Sequence, residues 1–198
     1  MDRKKKISLK GQIILSERYE CSLKQIQKRY EKERLRLNED YLNMWRSLFK
    51  RTKIQQITEK KGKVQYLVIS LLHSSIFAKS YDFRFDVYDK ELYLDSIESC
   101  SYWSPNLFFT SIEGDMAFFT SAIKRNMIQV TNAELEEFEM EYAYRFMGMA
   151  LSYFCETCEQ VFRLKEYEDI SKEKKVFVLF GTYVGKTQTI ADHGENTV

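Results

Sequence analysis

Between Ser22 and Lys60 the chain contains neither proline nor glycine, and Lys, Arg, Glu, Leu and Gln dominate. All are strong helix formers. The stretch predicts one long helix over about 22–60, roughly 55–60 Å long at 1.5 Å per residue. Ser22 and Gln25 stand where a capping box would open it. The bias extends to the whole chain, since 198 residues hold one Pro and seven Gly. That is too little punctuation for a turn-rich sandwich or barrel. With 44% hydrophobic and 15% aromatic residues, the chain can bury a core, which excludes wholesale disorder.

Within the long helix Leu23, Ile26 and Tyr30 recur at steps of 3 and 4, and Leu37, Tyr41, Met44 and Leu48 at steps of 4, 3 and 4. This is a heptad-like seam, widened by Trp45 and Phe49. A helix of this length projects, breaks into a hairpin, or pairs with a copy of itself. The seam at 23–48 is therefore a candidate homodimer interface.

A second long helix is predicted over about 132–168. Thr131 and Glu134 form a capping-box pattern, and Leu135, Phe138, Tyr142, Phe146, Met149 and Tyr153 mark its apolar face. Between the long helices, Val64 to Lys79 reads as a buried middle helix, with a strand as the alternative because of its Val and Ile content. Tyr81 to Val87 alternates as a half-buried strand, and Leu92 to Ile97 as its return, giving a hairpin over 81–97. A short helix at Met116–Arg125, a short strand at Met127–Val130, a loop at Lys172–Lys175 and a strand at Val176–Phe180 follow. The fold class is α+β, predominantly helical, with a small antiparallel sheet. The first 16 residues read as a mobile basic tail and the last dozen as loose.

Charge is segregated. Residues 1–63 carry a net +11 and residues 64–198 a net −9, within an overall +2. This divides the chain into a basic tail and helical arm at 1–63 and an acidic α+β body at 64–198. The arm either folds back on the body or faces an anionic partner. Lys24, Lys28, Lys32 and Arg36 recur every four residues and form one ridge. Arg46, Lys50 and Lys53 extend it along the helix, and Arg3, Lys4, Lys5 and Lys6 precede it. Such a ridge suits phosphates; a solvated helix face accounts for the same pattern.

Other motifs reduce to structural roles. Gly181-Thr182-Tyr183-Val184-Gly185-Lys186-Thr187 is one residue short of a phosphate-binding loop and reads as a glycine turn at a strand end. Cys155 and Cys158 lack the second ligand pair of a zinc site and read as buried structural thiols. His73 sits in the most apolar window and reads as a core histidine. Asp82, Arg84 and Asp86 read as a solvated strand face. Trp103 packs in the core or, if exposed, marks a protein interface.

No secretory signal is read at the start, the apolar window at Tyr66–Ala78 is too short to span a bilayer, and the four cysteines are too sparse for disulfide staples. The expectation is a cytoplasmic protein with free thiols, no membrane partner, no cofactor and no metal. The favoured function is a non-enzymatic interaction protein (an adaptor, regulator or inhibitor). It would dock on a protein or protein–nucleic-acid complex through Lys24, Lys28, Lys32, Arg36, Arg46, Lys50, Lys53 and Trp103. The alternatives are direct nucleic-acid binding by the ridge and, third, an enzyme built around His73 and the hairpin carboxylates.

Overall fold

The computed structural model describes residues 3–58, 61–126 and 130–194, with side chains from Ile7 onward and that of Asn126 set aside. The fold is α+β and mostly helical, with two long helices and one five-stranded sheet. The chain forms two compact units that interleave in sequence. One comprises Met1–Arg34 with Pro105–Ala150, the other Leu35–Ser104 with Leu151–Val198. The boundary expected at residue 63 falls inside the second.

Helix α1 runs Arg3–Thr58. It starts far ahead of Ser22, so residues 3–16 are helix rather than tail; the side chains of Arg3 to Lys6 lie outside the described set. Ile7, Gly11 and Leu15, spaced by four, are buried and carry the helical face back towards the start. In the first unit α1 packs with α3 (Asn106–Phe109), α4 (Ile112–Asn126) and the first part of α5 (Asn132–Phe162). At Gly11 a Cβ would stand 2.5 Å from the Phe138 ring, so any larger residue would require that ring to shift. Ser22 does not cap a helix. It donates to the Asp115 carboxylate at 2.6 Å, as does the Tyr142 hydroxyl at 2.7 Å, and Arg18 pairs with the same group at 2.7 Å. One carboxylate, 1% exposed, thereby ties three helices together. Thr131 and Glu134 close the expected capping box, their side chains bonding each other's backbone N–H groups at 2.9 and 3.3 Å.

The second unit is built on the sheet. Its strands are β1 (Val64–Leu71), β2 (Phe83–Tyr88), β3 (Cys100–Trp103), β4 (Lys172–Thr182) and β5 (Thr187–Gly194), in the order β3-β2-β1-β4-β5. β1 runs parallel to β4 and the other pairs are antiparallel, so the sheet is mixed rather than wholly antiparallel. The segment expected as a middle helix is its central strand, followed by the short α2 (His73–Phe77). The strand alternative holds because Val64, Val68 and Ile69 are β-branched and both faces of β1 are covered, which removes the alternation of a half-buried strand. The hairpin is wider than expected. β2 pairs with β3, and Leu92–Leu94 is a single 3₁₀ turn. Asp95 pins that loop by accepting the Asp89 and Ile97 N–H groups and the ammonium of Lys61 at 2.5 Å, a fully buried ion pair.

Three further boundaries differ from the sequence reading. The short strand at 127–130 falls largely outside the described residues. Lys172–Lys175, expected as a loop, begins β4, and most of the segment expected to be loose forms β5. α5 ends at Phe162, where Leu164 turns extended before a separate short helix, α6 (Lys165–Asp169).

On the sheet's inner face α1 presents Tyr41, Trp45 and Phe49, and α5 presents Tyr153 and Phe154. The Tyr41 ring lies 5.1–6.3 Å from those of Trp45, Phe85, Trp103, Tyr153 and Phe154. Phe154 also meets Phe83 and Phe180. Each aromatic pair adds about 0.5–1.5 kcal/mol beyond area burial.

The Asp115 cluster gives a stability test. Asp115→Ala leaves Ser22 and Tyr142 without their acceptor. Because Arg18 is 39% exposed and can be rehydrated, the loss stays at roughly 2–4 kcal/mol. Urea denaturation measures it; a loss under 0.5 kcal/mol would mean the cluster is not holding the first unit.

Candidate functional site

The basic ridge divides into two parts. In the first unit Lys24, Lys28 and Lys32 are all exposed on α1. None of the three makes an ion pair among the described residues; the neighbouring Arg29 instead bonds Glu33 and Thr110. Arg36, in the second unit, is exposed as well. Over residues 24–36 six cations face two carboxylates, a net +4.

The other basic candidates are engaged by their own unit. Lys50 pairs with Glu166 and Lys53 with Asp169, both at 3.4 Å. Arg46, half-buried, donates to Asn43 at 2.6 Å. These residues frame a cleft of about 240 Å³ lined by Phe49, Lys50, Lys53, Lys165, Glu166 and Asp169. The backbone N–H of Glu166 and the Lys50 ammonium hold the Glu166 carboxyl below the usual range. The fold-back reading of the arm thus holds for one part of it. Its end folds back on acidic groups of its own unit, and its Lys24–Lys32 stretch stays open.

Trp103 is not an exposed anchor. It is half-buried against Tyr41, Phe85, Tyr153 and Phe154. The seam proposed for a homodimer is also occupied within the chain. Ile26, Tyr41, Met44 and Leu48 are buried, Tyr30 packs on Phe108 and Tyr41 on the sheet. A coiled-coil partner would have to displace those rings, so the seam offers no free surface.

His73 is exposed at the start of α2, not in the core, because the apolar run ends at the edge of β1. The strand face of Arg84 and Asp86 is covered rather than solvated. Arg84 clasps Asp86 through bonds of 2.8–2.9 Å and reaches Glu98 at 2.6 Å. The Tyr183 ring lies over its guanidinium at 4.8 Å and Tyr102 at 5.9 Å. Burial raises the Asp86 carboxyl and the Arg84 guanidinium opposes that shift, while hydrogen bonding to Asp86 raises Arg84. Sequence reasoning found the alternation but missed the cover, because Tyr183 sits far along the chain. The glycine-turn reading of Gly181–Thr187 holds. It forms the β4–β5 hairpin, with Gly185 N–H bonded to Thr182 at 2.9 Å, and a Cβ on Gly181 would collide with Lys186.

Of the two cysteines on α5 only Cys158 is buried; Cys155 is exposed. The described residues contain no group of three or more metal-ligating side chains, and no described helix is long and apolar enough to cross a membrane. Compared with family models, curated proteins and solved structures, the chain matches none of them.

Burial pushes the Cys158 thiol up to about 12, so at pH 8 it is fully protonated as well as covered. A thiol reagent at pH 8 is expected to modify Cys155 and Cys21 within minutes and Cys158 only after denaturation. Peptide mass mapping reads the order. Equal labelling of Cys155 and Cys158 would contradict the packing of this part of α5.

Proposed function

We propose that the protein is a non-enzymatic binding protein (an adaptor, regulator or inhibitor) that docks on an anionic macromolecular partner through Lys24, Lys28 and Lys32. One observation carries the reading. Three lysines at four-residue steps on α1 are exposed without an internal ion pair among the described residues, while Lys50 and Lys53 have such pairs. Exposed cations on an ordered helix attract an anionic surface over a Debye length of about 8–10 Å. They keep their charge available because no neighbouring carboxylate consumes it.

Direct nucleic-acid binding is the second reading, favoured by the composition of the row. Lysines are flexible point charges that meet a phosphate backbone without reading bases. Three phosphate contacts give a salt slope near −2.7, which is on the order of a 40-fold loss between 50 and 200 mM salt.

Fluorescence polarisation with generic single- and double-stranded DNA, and with polyglutamate, separates the two readings. Binding to both polymer classes supports a general anionic partner; binding to DNA alone supports the second reading. In either case Lys28→Glu with Lys32→Glu is expected to weaken binding at least tenfold, uniformly across sequences. Undiminished affinity in that double variant would remove the row from the interface.

A further inference from the structure

The outer side of α1 in the first unit carries a second charge pattern, distinct from the lysine ridge. We propose that this side pairs with the same side of a second copy of the chain, the two helices running antiparallel.

Lys10, Glu17, Lys24 and Glu31 follow one another at steps of seven residues, so their charges alternate in sign along the helix. Seven residues are nearly two turns, and such a row drifts by only about 20° per step. It therefore keeps to one side of α1 over about 32 Å, at 1.5 Å per residue. Ile7, Gly11, Leu15, Ser22 and Ile26 lie on the other side and are buried in the unit. All four members of the row are exposed, and none of them makes an ion pair among the described residues. The row is neutral in sum, with two lysines and two glutamates.

A row of alternating sign is complementary to its own reverse. With the two-fold axis between Glu20 and Cys21, Lys10 of one copy meets Glu31 of the other, and Glu17 meets Lys24. The symmetry repeats both contacts, which makes four ion pairs. A parallel pairing in register sets like on like at every position, and such juxtapositions reject a partner. Opposite charges facing each other across two helices are what fixes orientation and register in coiled coils.

The flanks of the row fit the same arrangement. On one flank Ile14, Cys21 and Lys28 again recur at steps of seven. There Cys21 faces Cys21 of the other copy, and Ile14, half-buried within its own chain, lies against the apolar stem of Lys28. On the other flank Ile13, 54% exposed, faces Gln27. Glu20 approaches its own copy there, with both Lys24 side chains within about a turn of it. None of this uses the 23–48 seam, whose rings are already packed inside the chain. Lys32 stays at the margin of the paired helices.

The test is sedimentation velocity of the full chain between about 5 and 500 µM at low salt. Four exposed ion pairs of modest strength predict a dimer with Kd on the order of 10–100 µM, weakened by added salt. Lys24→Glu and Glu17→Lys, each alone, set like charges together twice and should weaken the dimer at least tenfold. Mixing these two single variants in equal amounts restores all four pairs and should restore the dimer, a gain that a damaged fold cannot mimic. The swap variant E17K/K24E should also dimerise. In a head-to-tail arrangement, or an antiparallel one shifted by seven residues, the swap puts like charges together instead. A short bismaleimide is expected to join Cys21 to Cys21, which is exposed in the single chain, as peptide mass mapping would read. A monomer throughout the concentration range would overturn the proposal. So would a dimer indifferent to the single variants, failure of both the mixture and the swap to restore pairing, or cross-linking through Cys155 alone. The swap variant keeps Lys28 and Lys32, so its binding to DNA and polyglutamate is read separately, and failure of either proposal leaves the other standing.

Discussion

The second unit depends on burial of one tyrosine. Tyr41 is 1% exposed and touches five other aromatic rings drawn from α1, β2, β3 and α5. Around it the sheet's inner face, Phe83, Phe85 and Phe180, closes on Phe154. Removal of this apolar surface from water, at roughly 25 cal/mol per Å², holds the helices on the strands. It also fixes which side of α1 faces outward in this unit. The positions of Lys50 and Lys53 beside the cleft follow from where Tyr41, Trp45 and Phe49 are seated one turn or two earlier.

The first unit uses a different device. Its helices also bury aromatics, with Phe119 on Phe138 and Tyr19 against Phe146. Its specificity, however, comes from a polar knot at Asp115. Apolar contacts between helices tolerate sliding; a buried carboxylate with donors from Arg18, Ser22 and Tyr142 admits one register. Gly11 sets a second register mark, because the Phe138 ring sits against it and would have to shift for a larger residue. Together they orient the Lys24–Lys32 row outward.

What the sequence made legible was whatever depended on near neighbours. The α5 capping box, the helical periodicity of both long helices, the presence of a strand at β2 and the glycine turn at 181–187 are all written within a few residues, and all hold. The misreadings share a cause, which is dependence on distant chain. β1 lost its alternation because both faces are covered by other segments, so a strand looked like a buried helix. The Arg84–Asp86 face looked solvated because Tyr183 and Tyr102 supply its cover. The 23–48 seam looked available for a second copy because its covering residues, Phe108, Trp103 and Phe154, lie on later elements. The cleft was half legible. Lys50 and Lys53 were identified as basic candidates, but nothing near them in sequence announces Glu166 and Asp169, more than a hundred residues on.

The strand order carries a consequence for how the sheet comes apart. β1 is bonded along both sides, to β2 and to β4, and five of its last residues are wholly enclosed. β5 is bonded along one side only and is largely open to water. Amide protons along the outer margin of β5 therefore trade with solvent while those of Leu67 to Leu71 wait for global opening. Fluctuation spends itself at the periphery, and the most aggregation-prone stretch of the molecule, its long apolar run, is the last to be uncovered.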